Sequence, residues 1–431
     1  MACSRLHRAL VLGLAALLAD AWPARAQSSC TTLGQVEFVR LSMRYIYFWN
    51  REIADIPAAG FDSPEAYLEA VRYRPLDSTF SYITSRAAND AFFSDSQFIG
   101  VGISTKQIGD QLRVAQVFPD SPASQAGLER GATFLEIAGR TVADYIARGD
   151  LGNAFGPSDI GFAVPVRFVD IAGVQRSATL IKRLVTIPTV SMTKIFEIDG
   201  KRVGYVHFRN FVTPSTEALN AAFAQLKAAG ASELILDERY NGGGLVSVAQ
   251  HLGGLIGGAR TAGQVFAEFF HNDLNAQRNA ILRFETKPVA LDLQRLVVIT
   301  TRASASASEL VINALRPLMR VTIVGDATYG KPVGQYGLDF CDKVLAPVAF
   351  QLRNAAGQGD YFDGLPADCP AGDDVDHLFG DAAEASLGEA LFFVKNGQCS
   401  AGARSSATAR ALRAGRAQPN LVGWQSLLNA Y

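Results

Sequence analysis

The sequence predicts a multi-domain chain of α/β and β structure: an N-terminal helical segment, a β-rich middle unit and an α/β core. Three observations predict it. Apolar residues recur at helical spacing over residues 34–93, short β-branched runs broken by Gly, Pro and Asp follow from about residue 98, and strands alternate with helices beyond Pro188. With 431 residues, 48% hydrophobic and 19% charged, the chain can bury a large core, and at about 150 residues per domain it divides into two or three units. Lys+Arg 40 against Asp+Glu 41 leaves a formal net charge of -1, which provides no global field to attract nucleic acid or an anionic membrane surface.

Residues 1–26 read as a signal peptide, with Arg5 and Arg8 before an apolar run at residues 9–19 and Ala24-Arg25-Ala26 as the cleavage site. That run is far shorter than the roughly 20 residues needed to span a bilayer. An exported protein, periplasmic or extracellular and without a membrane span, is expected. Cys30 lacks the preceding aliphatic residue of a lipid attachment site, so no lipid anchor is expected there. Removal of Cys3 with the leader leaves Cys30, Cys341, Cys369 and Cys399, an even set in an oxidising compartment with three pairings open. One bond among the last three is expected. There is no C-x-x-C and no H-E-x-x-H, so neither a metal nor another cofactor is expected.

The helical segment occupies residues 27–95. Val36, Val39, Leu41, Tyr45, Phe48 and Trp49 keep helical spacing, and Ser63-Pro64-Glu65 is a start signal before Tyr67, Leu68 and Val71. The middle unit, residues 96–186, carries strands near 99–104, 112–118, 134–137, 164–170 and 178–184 and one short helix near 123–127. The α/β unit, residues 187–399, reads as strand 202–208, helix 215–229, strand 233–237, helix 245–256, strand 296–300, helix 308–318 and strand 321–324. Residues 400–431 are rich in Ala, Ser and Arg, with Arg404, Arg410, Arg413 and Arg416 expected on a solvated extension.

Within the middle unit, Gly100-Val101-Gly102-Ile103, then Ser121-Pro122-Ala123 with Ala126-Gly127-Leu128, then Gly131 and Ile137-Ala138-Gly139 resemble the order of motifs in a PDZ domain. The resemblance implies that Gly100, Val101, Gly102 and Ile103 hold a peptide's C-terminal carboxylate on free N–H groups while the peptide adds a strand to the sheet. Ala132 departs from the Asp common in that family.

Three stretches at strand-to-helix junctions carry the candidate chemistry: residues 237–244 (Asp-Glu-Arg-Tyr-Asn-Gly-Gly-Gly), 304–309 (Ser-Ala-Ser-Ala-Ser-Glu) and 328–335 (Thr-Tyr-Gly-Lys-Pro-Val-Gly-Gln). Singly, a glycine triplet is a turn and Ser306 or Ser308 a helix cap. Together they supply a nucleophile, a base and oxyanion donors. Lys331 can act as base once burial lowers its pKa from about 10.4, and Gln335 can hold its amine in line. The N–H groups of Ala307, at a helix start, and Gly243 are the candidate oxyanion donors.

Ser306-Ala-Ser-Glu309, Gly330-Lys331, Gln335, the Asp-x-Arg-x-Asn-Gly-Gly-Gly of 237–244 and the Ser306-to-Lys331 interval resemble the carboxyl-terminal processing peptidases. The resemblance implies an exported Ser-Lys(-Gln) endopeptidase with an inserted PDZ domain on an α/β core of the ClpP/crotonase-like kind. Ser306 would be the nucleophile, Lys331 the general base, Gln335 the lysine-orienting residue, and Ala307 and Gly243 the oxyanion donors. Its partners would be protein or peptide substrates, envelope proteins among them, engaged through their C-terminal segments, with a homo-oligomer compatible and no ATP or metal required. Pro332 stands where that family usually has Gly, and Glu238 where it has an aliphatic residue. Pro332 keeps one alternative in view, a weak or inactive PDZ-containing scaffold on a peptidase fold. Gly325 to Lys331 fits a phosphate-binding G-x-x-x-x-G-K, but Pro332 offers no hydroxyl for a magnesium ion and no helix follows. Ser191-Met-Thr-Lys194 lies in a β-branched run unlike the helical S-x-x-K, and G-x-S-x-G does not occur.

Overall fold

The computed structural model describes residues 29–403; the leader expected at 1–26 and the arginines from Arg404 onward lie outside them. Helices Thr32–Tyr45 and Pro64–Val71 start at Thr31 and Ser63, whose hydroxyls accept the N–H groups of Gly34 and Ala66. Val36, Val39 and Met43 pack on Tyr67, Leu68 and Val71, as the spacing predicts. The periodicity does not run on to residue 93 as helix. Phe48 donates its N–H to the Val348 carbonyl (2.8 Å), and Tyr82–Ser85 is a strand paired antiparallel with Lys343–Ala346. A third helix, Arg86–Asp95, follows. Partners more than 250 positions away in the chain override the local pattern here.

The middle unit is an antiparallel sheet of strands Ile103–Ile108, Gln111–Val117, Thr133–Ile137, Ala163–Val169 and Gln175–Ile181, in that order. Its own core includes Val101, Ile103, Val114, Phe134, Phe155 and Phe168. The expected strand at 99–104 is two strands. Gln97–Gly100 pairs with Arg183–Thr186, and the chain then turns at Gly102 before Ile103–Ile108. Gly102 has φ +88, and a Cβ there would come within 2.0 Å of the Ser121 side chain, so the turn demands glycine. The expected strand at 178–184 divides in the same way into Gln175–Ile181 and Arg183–Thr186. A second short helix, Val142–Ala147, accompanies the expected one at Pro122–Gln125.

The α/β unit is built on a six-stranded sheet ordered Val190–Ile198, Lys201–Phe208, Glu233–Asp237, Arg295–Thr300, Arg320–Gly325 and Cys369–Pro370. All neighbours after the first antiparallel pair are parallel. Side chains alternate between two cores. Val206, Leu236 and Val298 face helices Ser215–Ala228, Val246–Gly257 and Ala307–Leu315, whereas Tyr205, Ile235, Val297 and Ile299 face Leu387, Ala390 and Phe393 of helix Ala385–Asn396. Coverage of both faces explains why these strands are almost wholly apolar in sequence. The helix Ala385–Asn396 and a four-stranded sheet containing Val265–His271 and Val348–Arg353 were not expected.

Two disulfides join Cys30 to Cys341 and Cys369 to Cys399. The second lies within the C-terminal region, as anticipated, and the first occupies the Cys30 sulfur. The Cys30–Cys341 bond closes a sequence separation of 311 residues, fastening the start of the first helix to the turn before Lys343–Ala346. Mapping of unreduced peptides should recover both pairs. The Cys30→Ser/Cys341→Ser variant should lose about 2–5 kcal/mol of stability in denaturant unfolding, and an unchanged midpoint would contradict this role.

Candidate active site

Strands Arg295–Thr300 and Arg320–Gly325 lie side by side with Thr300 opposite Gly325, so the loops that leave their carboxyl ends emerge together. The first loop delivers Ser306 and the second Lys331. Of the three serines in 304–308, two are structural. Ser304 donates its hydroxyl to the Glu238 carbonyl (2.7 Å) and Ser308 to the Asn241 carbonyl (3.0 Å). Both are fully buried, whereas Ser306 is only partly so. Ser306 precedes helix Ala307–Leu315 with φ 56 and ψ -111, a region that costs a non-glycine residue on the order of 1–3 kcal/mol and is tolerated where the surroundings enforce it.

Glu309 does the enforcing. This buried carboxylate accepts the N–H of Ser306 and the N–H of Lys331 on one oxygen (2.8 Å each), and the Thr328 hydroxyl and the Gly330 N–H on the other (2.6 Å each). Burial raises its pKa, and the four donors oppose that rise. A further bond from the Tyr329 N–H to the Ser304 carbonyl (2.9 Å) ties the same two loops.

Lys331 is buried at 5% exposure. Its ammonium donates to Gln335 Oε1 (2.8 Å), and Gln335 Nε2 donates to the Phe80 carbonyl (2.5 Å). Burial lowers the lysine pKa to about 8, against the opposing charges of Asp77 and Glu309. Pro332 immediately precedes the strand Val333–Gln335, and its carbonyl accepts the Leu352 N–H (3.1 Å). A position just before a strand suits a residue that has no N–H to give.

The 237–244 turn forms the opposite wall. Asp237 accepts the Tyr205 hydroxyl (2.8 Å) and the Arg239 guanidinium (2.6 Å), and Arg239 also reaches Asp373 (3.2 Å) and Glu384 (2.9 Å). Burial raises the Asp237 pKa, but Arg239 outweighs it and holds the carboxyl below its usual range. Gly243, at φ +95, lies against the serine turn. A Cβ there would sit 2.7 Å from the Ala307 nitrogen and 2.8 Å from Ser306 Cβ, so glycine alone fits. Its N–H donates to Asn241 Oδ1 (3.0 Å) and is not turned toward an oxyanion in this conformation. Ala307 is the first residue of its helix, where an N–H has no intrahelical acceptor.

Ser306, Ala307, Gly243, Lys331 and Gln335 therefore come together from three separate stretches. Gly100, Val101, Gly102 and Ile103 do not join them; they form the turn leading into the edge strand of the middle unit, where the carbonyls of Val101 and Gly102 accept from Ala123 (2.9 Å) and Phe118 (2.9 Å). Asp373 links that unit to the 237–244 turn, accepting Lys106 and Arg130 (3.0 Å each) as well as Arg239 and the Tyr240 hydroxyl. Ser191 and Lys194 lie on strand Val190–Ile198 and not on a helix. Sequence reasoning missed the Phe80 contact, for which no local signal exists. It also missed the bridging role of Glu309, which the S-x-x-E spacing of a capping box could have revealed.

Residues 202–359 match the model of peptidase family S41, and residues 34–82 match that of the peptidase S41 N-terminal domain. The chain is 27% identical over 292 residues to carboxyl-terminal-processing peptidase 1 of Arabidopsis thaliana chloroplasts, covering 66% of this chain and 58% of that protein. It is 26% identical over 252 residues to the carboxy-terminal processing protease CtpB of Bacillus subtilis, covering 58% and 50%. The fold resembles a solved structure from Bacteroides fragilis described as an S41 protease, with TM-score 0.66, 24% identity and coverage of 83% of this chain and 96% of that one. It also resembles the photosystem II D1 C-terminal processing protease, with TM-score 0.52, 21% identity and coverage of 83% and 97%. The architecture is thus an α/β multi-domain fold shared with S41 proteins. These matches and relatives support assignment to the carboxyl-terminal processing peptidases of family S41. It spans between half and three fifths of the length of those curated relatives.

One residue beneath the site is out of keeping with its surroundings. Glu238 is fully buried, and neither carboxylate oxygen has a hydrogen-bond partner among the described residues. Burial, then the charges of Asp237 and Glu309, push its pKa well above the usual value. The folded state therefore binds this proton more tightly than the unfolded chain, whose glutamate titrates near about 4.3, and stability falls as pH rises above that value. Glu238→Leu should raise the thermal midpoint, by more at about pH 9 than at about pH 5. A gain that shrinks with rising pH would contradict the assignment.

Proposed function

We propose that this protein is an exported serine endopeptidase of the carboxyl-terminal processing type. Ser306 attacks the substrate carbonyl, Lys331 takes the serine proton and returns it to the leaving amine, and water then hydrolyses the acyl-enzyme. The observation that carries this reading is the buried Lys331 amine, aimed by Gln335 and locked through Glu309 to the turn that presents Ser306. The Ala307 N–H supports the developing oxyanion, and Gly243 joins it once its N–H leaves Asn241 Oδ1. Two disulfides accord with an oxidising compartment, periplasmic or extracellular, and among the described residues no helix is long and apolar enough to cross a membrane. The names of the relatives support substrates cleaved near their C-termini.

The test is incubation of the purified protein with an unfolded protein substrate, without ATP and with a chelator, followed by intact-mass analysis. Ser306→Ala and Lys331→Ala should each abolish fragments that the wild type produces. Because only the neutral amine accepts a proton, kcat/KM should rise with pH to a plateau, with its midpoint near 8. Cleavage that survives in Ser306→Ala, or a flat pH profile, would contradict the mechanism. No cleavage by the wild type would favour the scaffold reading.

We further propose that the middle unit is a PDZ domain whose edge strand Ile103–Ile108 and turn 100–103 receive a substrate's C-terminus. Order in the sheet supports this reading, since among the described residues that strand stands at the end of the sheet, paired with Gln111–Val117. In titrations of Ser306→Ala, a peptide with a free carboxylate should bind at least about tenfold more tightly than its amide, a difference of about 1.4 kcal/mol. Equal affinities would argue against carboxylate capture.

A further inference from the structure

The lysine amine is oriented by Gln335, and Gln335 is in turn oriented from outside the α/β unit. Its amide nitrogen donates to the carbonyl of Phe80, a residue of the N-terminal segment, and this bond decides which end of the amide faces Lys331. The Phe80 ring lies 5.8 Å from the lysine nitrogen, and the Thr79 hydroxyl is 3.2 Å from the Tyr329 hydroxyl on the lysine loop.

What holds Phe80 in place is Asp77. It is fully buried and accepts the Ser81 N–H (2.9 Å), the Ser81 hydroxyl (2.6 Å) and the Tyr47 hydroxyl (2.9 Å). The Ser81 hydroxyl also accepts the Val348 N–H (2.9 Å), and the Ser81 carbonyl accepts Arg72 (2.9 Å). Residues 77 and 81 thus clamp the turn whose middle carries the Phe80 carbonyl. The charges that face Lys331 are Asp77 from this segment and Glu309 from the helix, and both favour the ammonium form. Tyr47 and Arg72 face Asp77 itself.

We propose that the N-terminal segment 77–81 is an integral part of the site, with Asp77 a positioning residue that holds the Phe80 carbonyl on Gln335 and so fixes the Lys331 amine. This rests on the Ser306–Lys331 reading. It assigns the N-terminal segment a direct part in setting the base, beyond covering one face of the core.

Two variants separate charge from position. Asp77→Asn keeps an acceptor for the Ser81 N–H, and the hydroxyls of Ser81 and Tyr47 can turn to accept from the new amide, so the fold is kept while the charge is lost. Ser81→Ala keeps the charge but frees the turn. The readout is the titration of lysine labelled with carbon-13 at Cε, the Lys331 resonance being assigned by its absence in Lys331→Arg, together with kcat and KM on a short peptide. In Asp77→Asn the Lys331 midpoint should fall by about half a pH unit or more, with the rising limb of kcat/KM following it. In Ser81→Ala, kcat should fall about tenfold at unchanged KM, equivalent to about 1.4 kcal/mol of transition-state stabilisation. An unmoved lysine midpoint in folded Asp77→Asn, or wild-type kcat in Ser81→Ala, would overturn the proposal. Survival of cleavage in Ser306→Ala would instead sink the underlying mechanism, while the lysine titration would still decide whether Asp77 acts on Lys331.

Discussion

One buried carboxylate holds the candidate site together. Glu309 receives backbone N–H groups from both the serine and the lysine, so the two loops share a single acceptor and neither can shift without leaving a buried donor unpaired. The strained backbone of Ser306 and the desolvated amine of Lys331 are each unfavourable alone. Their coexistence requires a rigid frame, and the frame consists of two neighbouring parallel strands, the Glu309 bridge and the Asp237–Arg239 ion pair behind the glycine turn.

The sheet makes that frame affordable in physical terms. Its strands are covered by helices on both faces, so the carboxyl ends open at one edge where loops from Thr300, Gly325 and Asp237 converge. Burial around them lowers the local dielectric, which depresses the lysine pKa and strengthens each hydrogen bond within the site. The same burial makes Glu238 a liability, since no donor among the described residues meets its carboxyl.

The legible and illegible parts of the sequence divide by range. Ser63 before Pro64, the apolar strand Glu233–Asp237, and the residue types at 306, 331 and 335 could be read because a cap, a buried strand and a nucleophile with its base each leave a local mark. The strand Tyr82–Ser85 and the Phe80 carbonyl left none, because what defines them is a partner more than 250 residues away. The break at Gly102 lies inside the glycine-spaced run 99–104, and the left-handed backbone of Gly102 and the close approach of the Ser121 side chain explain it. The helix Ala385–Asn396 carries its own signal, with Leu387, Ala390 and Phe393 at helical spacing. Gly243 was found as a position, but the direction of its N–H depends on Asn241 and follows from no spacing.

The central claim is that Ser306 attacks with help from Lys331. The most direct measurement is an acid quench of the protein shortly after mixing with a peptide ester, followed by peptide mapping of the trapped species. The account predicts an acyl group on Ser306 in the wild type and none in Lys331→Ala. An acyl group on any other residue, or ester turnover with the peptide containing Ser306 never modified, would contradict it.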